Sequence, residues 1–352
     1  MMSSIFNILD FGAIPDGQTD STQAIQSALD KAGEVMGEVI VPPGVYKVGR
    51  LTMRPQTKLS GTAAWLFGGY GGSIFELNTD ETDCMIDITG AFGCQISGMN
   101  LKGADLGENI HGIKLHWPEY NGGGKEDTPT IDDCRIGHFS GDGVHLSHIW
   151  CFSLRHSMLC FNGGAGLYID GWDGFVLDNW FSANRNGGIL GGPYVASITA
   201  TGNRVEWNRV GGMVIPMGCT MNITGNFFDR SGGPALKLGS ANGQAESITI
   251  TGNLLNRSGK PGKGMETEED NSHLLIERGV NVTFTGNTMR HGQDDCAQGT
   301  WSPDTCMIIK DCDYCVFASN VMHHGSMKRG IVWDGHGECR FDGNIGEPVG
   351  EK

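Results

Sequence analysis

Positive charge is scarce in this chain: 25 Lys and Arg residues stand against 40 Asp and Glu, a formal net charge of −15 over 352 residues. The basic residues form no cluster of the kind that follows a phosphate backbone, so no nucleic-acid partner is expected. Long apolar runs are also missing. No stretch approaches a membrane span, so no membrane partner is expected, and Met1-Met2-Ser3-Ser4 opens without the basic and apolar segments of a leader. The expected location is cytoplasmic if residues 1–352 are the whole protein, and secreted or periplasmic if a leader has been removed. No Ser-His-Asp order, dinucleotide glycine fingerprint or phosphate loop occurs. Among the 11 cysteines, Cys312-Asp313-Tyr314-Cys315 has no second C-x-x-C pair, which argues against zinc. Cys94, Cys315 and Cys339 fall at apolar positions and read as buried, reduced thiols.

What is present is a short phrase that returns: alternating apolar and polar residues ending in Gly-Asn. It appears at Ile198–Asn203, Met221–Asn226, Ile248–Asn253 and Val282–Asn287, with looser copies at Phe152–Ser157, Gly174–Asn179, Cys315–Asn320 and Cys339–Asn344. The four Gly positions lie 23, 27 and 34 residues apart, the repeat length of a solenoid. Period-2 alternation predicts a strand with one buried face, and Gly-Asn predicts a turn. Second apolar segments between copies, such as Gly212–Ile215 and Met307–Ile309, predict two or three short strands per turn. Such strands must stack to bury their apolar faces. The expected fold is all-β, a single-stranded parallel β-helix. Its inward columns are Phe152, Gly174, Ile198, Met221, Ile248, Val282, Cys315, Cys339 and Leu154, Val176, Ala200, Ile223, Ile250, Phe284, Phe317, Phe341.

Residues 1–36 differ. Asp16–Thr22 is rich in helix-capping side chains, and Ala24, Ile25, Ala28 and Leu29 follow at helical spacing, predicting a helix that covers the open end of the coils. Coils are expected over 37–346 and a tail over 347–352, all within one domain. The run Asp10-Phe11-Gly12-Ala13-Ile14-Pro15-Asp16-Gly17, then Thr19-Asp20, Ala24-Ile25 and Val41-Pro42-Pro43-Gly44-Val45-Tyr46, resembles the N-terminal signature of the pectate-lyase-like superfamily related to family 28 glycoside hydrolases. The resemblance implies a right-handed, pectin-lyase-like β-helix acting on poly- or oligosaccharides. Reaction type is not carried by this signature, which also occurs in viral tail proteins, epimerases and lyases. Family 28 carries an Asn-Thr-Asp, an Asp-Asp, a Gly-His-Gly and an Arg-Ile-Lys on successive turns; here Gly335-His336-Gly337 lies in the last full coil with no Arg-Ile-Lys after it. The layout is similar in outline to inulin fructotransferases, which implies a homotrimer as one assembly.

Aligning the repeats makes neighbours of distant residues. Four positions after each phrase Gly stand Ser182, Glu206, Asp229, Asn256, Arg290 and His323; one further come Trp207, Arg230, Arg257, His291 and His324, then Asn162, Asn184 and Asn208. Glu206 and Asp229 are therefore expected side by side on an outer surface. Repulsion would keep one protonated, the division of labour that glycoside cleavage needs. They are the expected catalytic pair. Trp207, Asn184, Asn208, Arg230, Arg257, Arg290 and His291 are expected to bind the sugar by stacking and hydrogen bonding. The insertions at 259–272 and 293–305 supply rim candidates Lys260, Glu266, Glu268, Glu269, Asp294, Asp295 and Trp301.

The leading expectation is an enzyme that cleaves or rearranges a glycosidic bond of a carbohydrate substrate, as a hydrolase or a fructotransferase-like enzyme. One alternative is a lyase or epimerase in which an Arg, His or Lys abstracts the proton beside a uronate carboxyl. The other is a non-catalytic glycan-binding or phage-tail module. No cofactor or metal is expected, with calcium at Asp294-Asp295 as the alternative.

Overall fold

The computed structural model describes residues 4–62, 66–120, 124–259, 267–293 and 300–346. The chain gathers into two compact units, Met1–Phe175 and Val176–Lys352. Each consists of short parallel strands that stack from coil to coil.

In the first unit, the helix Thr22–Gly33 buries Ile25, Ala28, Leu29 and Ala32. These touch the strands Ile5–Asn7, Glu38–Ile40 and Leu51–Thr52, where the coiling begins. One run of parallel pairs goes Ile5–Asn7, Glu38–Ile40, Lys58–Ser60, Gln95–Ser97, Thr130–Asp132 and the distal half of Val144–Arg155. A second goes Leu51–Thr52, Cys84–Asp87, His111–His116 and the proximal half of Val144–Arg155. A third goes Asp16–Asp20, Gly44–Val48, Ser73–Leu77, Asn100–Lys102, Arg135–Gly137 and Met158–Cys160.

The second unit repeats the plan. Trp180–Ser182, Arg204–Glu206, Phe227–Asp229, Leu254–Asn256 and Thr288–Arg290 pair in sequence. The phrase strands pair in step: Thr199 with Asn222, Asn222 with Thr249, Thr249 with Thr283 and Thr283 with Val316. The predicted inward columns are buried from Phe152 through Phe317, as alternation requires. The last coil departs: Cys339 and Phe341 are only half-buried.

The phrase Gly has a physical reason. Gly202, Gly225, Gly252 and Gly286 all have φ between 64° and 70°, the left-handed region open to glycine. The looser copies place His156, Asp178 and Ser319 there instead, at φ of 45°, 54° and 56°. The Asn that follows ties coil to coil. Asn179, Asn203, Asn226, Asn253, Asn287, Asn320 and Asn344 form a ladder in which each side-chain amide donates to the carbonyl oxygen of the next, over 2.9–3.1 Å.

Candidate functional site

The acid column lies in the second unit. Register sets Glu206 opposite Ser182 on one side and Asp229 on the other, and sets Asn256 between Asp229 and Arg290. The two carboxylates are neighbours on adjacent strands, but the expected outer surface is corrected: Glu206 is 4% exposed and Asp229 1%.

Both carboxylates are occupied. Glu206 accepts from Trp180 Nε1–H and Arg204 Nε–H, each at 2.8 Å. Asp229 Oδ1 accepts from Asn256 Nδ2 and Arg257 Nε at 2.9 Å, and Oδ2 from Arg257 Nη2 at 2.6 Å and Arg230 Nε at 2.9 Å. Each acid thus has its own guanidinium partner, so the expected repulsion between them is compensated within the network. Arg230 and Arg257, expected to face a sugar, are engaged by Asp229. The corner they occupy has a costly backbone. Trp207, Arg230 and Arg257 have φ of 59°, 53° and 48°, a conformation that disfavours residues with a Cβ by about 1–2 kcal/mol each.

Asn184 and Asn208 are also corrected. Both are buried, with Asn184 Nδ2 donating to Asn208 Oδ1 at 2.9 Å and Asn208 Nδ2 to the Phe181 carbonyl at 3.1 Å, so they brace a corner and do not face a ligand. Trp207 packs under the Arg230 guanidinium at 3.9 Å and edge-on to Trp301 at 5.6 Å. Arg290 is exposed, and His291 bonds through Nδ1 to the His324 carbonyl. Glu269 is ion-paired to Lys310 at 3.0 Å. Lys260, Glu266, Asp294 and Asp295, and the Glu268 side chain, lie outside the described residues. The described cysteines are free thiols, with Cys94, Cys312 and Cys315 buried.

A second constellation, in the first unit, escapes the alignment on Gly-Asn. His111–His116 and Val144–Arg155 pair so that Lys114 stands opposite Asp87 and His145. The Tyr168 ring, from the strand Leu167–Leu177, stacks parallel on His145 with centroids 4.5 Å apart. Beneath them Asp142 is buried, its Oδ1 accepting the Ala165 N–H at 2.7 Å and its Oδ2 lying 2.8 Å from His145 Nδ1. Burial alone would raise the Asp142 pKa, but bonds from His111, His145 and the Ala165 amide outweigh it and hold the carboxyl at about 2. An ionised Asp142 makes His145 Nδ1–H the donor, which leaves Nε2 with its lone pair. Burial first, then the Asp170 and Asp142 charges, raise the Tyr168 pKa, so its phenol keeps its proton at neutral pH.

Aromatic side chains flank this row. Tyr120 O–H donates to Asp170 at 2.9 Å, and its ring lies 4.3 Å from His148 and 4.9 Å from Trp172. Trp150 and Trp117 donate their indole N–H groups to Asp173 and Asp127 at 3.0 Å. Fixed rings of this kind, with Tyr120 exposed and the three tryptophans half-buried, suit the apolar faces of sugars.

The signal for this face was in the sequence but not in the repeat. His111, Lys114, His145 and Tyr168 sit on strands that precede the Gly-Asn phrases or share only their loosest copies, so the phrase never brings them into one column.

A family model described as rhamnogalacturonase A/epimerase, pectate lyase-like, matches residues 5–68. A second, described as a right-handed beta helix region, matches residues 85–255 and 143–297, more than half of the chain. Mannuronan C5-epimerase AlgE2 of Azotobacter vinelandii is 30% identical over 204 residues, covering 51% of this chain and 19% of that protein. The chain therefore spans about a fifth of that relative's length. Among solved structures, the A-module of the A. vinelandii mannuronan C-5 epimerase AlgE6 superposes with a TM-score of 0.63 at 17% identity, covering 97% of this chain and 99% of that one. DFA-IIIase from Arthrobacter chlorophenolicus A6, without its lid and in complex with GF2, gives 0.67 at 12%, covering 97% and 94%. At such identities the likeness concerns the fold. Parallel pairing coil after coil, the pectate-lyase-like opening and the match across residues 85–297 lead to one conclusion: this chain belongs to the right-handed β-helix family.

Proposed function

We propose that the chain modifies a uronate-containing glycan by removing the proton on C5, beside the sugar carboxylate, and that the outcome is epimerisation. The observation that carries this reading is the His145–Asp142 pair with Tyr168 stacked above it and Lys114 alongside. His145 Nε2 accepts the C5 proton while buried Asp142 stabilises the resulting imidazolium. The C5–H electron pair moves toward the carboxylate, where the Lys114 ammonium offsets the developing charge. Return of a proton to the opposite face of C5 inverts the centre, with no net redox change. Tyr168 supplies a protonated phenol to the same site. Relatives that act as mannuronan C5-epimerases favour inversion over elimination.

Polymannuronate incubated with the protein in D2O tests this by proton NMR. Deuterium at C5 with converted residues and no unsaturated ends is the expected result. His145→Gln should lower the exchange rate by about 10²–10⁴-fold with an unchanged melting temperature. Exchange at the full rate in that variant would refute the assignment. A second reading, glycosyl transfer at Glu206 and Asp229, is favoured by their adjacency and by the Trp207–Trp301 pair, which begins at the residue after Glu206. Cleavage or cyclisation of a fructan, lost in Glu206→Gln but not in His145→Gln, would establish it instead.

A further inference from the structure

Two groups of Asp142 converge on one nitrogen of His111. His111 Nδ1 lies 3.0 Å from the Asp142 backbone N–H, which donates to it, and 3.3 Å from Asp142 Oδ2, which cannot. Nδ1 can serve only one of these neighbours: accepting from the amide it makes no bond to Oδ2, and donating to Oδ2 it gives up the amide. The same Oδ2 is approached from the other side by His145 Nδ1 at 2.8 Å, and the three ligand atoms lie within 4.8 Å of one another. The two imidazole rings stand 4.3 Å apart, both turned toward that one oxygen.

We propose that His111 Nδ1, Asp142 Oδ2 and His145 Nδ1 form a binding site for a divalent transition cation of the zinc class. Two neutral imidazoles and a carboxylate are the donor set such ions prefer, with bonds near 2.0–2.1 Å. In a tetrahedral shell those bonds put ligand atoms about 3.3 Å apart, the separation already present between His111 and Asp142. The cation takes the place between His111 Nδ1 and Asp142 Oδ2, and the His145 pair opens by a few tenths of an ångström. The neighbouring surface has a matching field. A cleft of about 610 Å³ in the same unit is lined by Asp80, Glu81, Asp83 and Glu108, with Arg50 as its cation. Asn109 lines it too, two residues before His111, whose own N–H donates to the Asp83 carbonyl at 2.9 Å. Such an acidic cleft beside the site concentrates cations and repels a polyanionic glycan.

Binding has a chemical consequence, which rests on the proposed function, although the binding itself does not. When His145 Nδ1 bonds the metal, the ring changes tautomer: solvent takes the Nδ1 proton and returns one to Nε2, so the neutral ring carries its hydrogen on Nε2. That nitrogen can then no longer accept the C5 proton, so cation and catalysis exclude each other.

The test is titration of the folded, metal-stripped chain with Co²⁺, followed by visible absorption and by equilibrium dialysis. One Co²⁺ per chain with tetrahedral-type bands, bleached by an equivalent of Zn²⁺, is expected. His111→Gln should weaken binding by at least about tenfold, the scale on which even outer-shell partners act, and His145→Gln provides a second variant should the first not fold. Absence of binding at millimolar Co²⁺, or undiminished binding in the folded variants, would overturn the site. A chain that binds Co²⁺ but exchanges no C5 proton keeps this inference and defeats the proposed function; exchange that Zn²⁺ does not inhibit, in a chain that binds no Co²⁺, does the reverse.

Discussion

A single buried imidazole sets part of the acid sensitivity of this protein. His273 lies fully buried on the strand Ser272–Glu277, its Nε2–H donating to the Gly325 carbonyl at 2.8 Å while Nδ1 has no hydrogen-bond partner among the described residues. Burial is the main cause, helped by the charge of His291, that pushes its pKa down to about 4. The folded state thus keeps His273 neutral, whereas the unfolded chain protonates it near pH 6.5. The stability associated with this residue is complete above pH 6.5 and is lost as the pH falls towards 4, a change of about 3 kcal/mol by linkage. Asp142 belongs to a separate window: its depressed pKa keeps its contribution intact above about 3.8 and loses it only as the pH falls towards 2. Urea unfolding at pH 7.5, 5.5 and 4.5, followed by circular dichroism, should show a fall that His273→Gln flattens between 6.5 and 4. An unchanged slope in that variant would remove His273 as the cause.

At the scale of the element, the asparagine ladder is what the recurring phrase encodes. Each rung receives two donors from the coil before it: Asn203 gives both its backbone N–H and its side-chain amide to Asn226 Oδ1, each at 2.9 Å. Asn226 in turn donates to Asn253 Oδ1 and to the Ala200 carbonyl. Asn226→Ala therefore leaves several buried polar groups unpaired, at about 1–3 kcal/mol for each that finds no water. Asn344→Ala, at the half-buried end of the ladder, should cost distinctly less. Thermal melts compare the two, and equal losses would mean the ladder is not the coupling element. Sequence made this part legible because turn chemistry and strand period are local. Glu206 beside Asp229 was legible for the same reason, since register follows from the repeat. What could not be read was the direction in which Arg204, Arg230 and Arg257 point. Whether a carboxylate is free or clamped depends on side chains from neighbouring coils and not on its own column. The face built from His145 and Tyr168 was hidden differently, because it falls where the phrase has decayed to Phe152–Ser157 and alignment loses its anchor.

At the scale of the whole molecule, the net charge of −15 bears directly on the two functional readings. A polyuronate is itself a polyanion, and two cations beside the proposed site are already paired: Lys114 with Asp83 at 2.8 Å, and Arg50 with Asp83 and Asp87. Approach of such a substrate is therefore opposed by the long-range field of the protein and gains little from local attraction. That field reaches about 30 Å at 0.01 M salt and only about 8 Å at 0.15 M. Raising the salt over this range should lower KM for polymannuronate, by on the order of tenfold, while kcat changes little because the His145–Asp142 contact is buried and weakly screened. A neutral fructan carries no charge for the field to act on, so its KM should stay level across the same series. Steady-state kinetics on both polymers would then separate uronate epimerisation from glycosyl transfer without any mutation. A KM for polymannuronate that rises with salt would show that unpaired cations at the site outweigh the charge of the chain, and those cations, in place of Lys114, would then offset the charge developing on the sugar carboxylate.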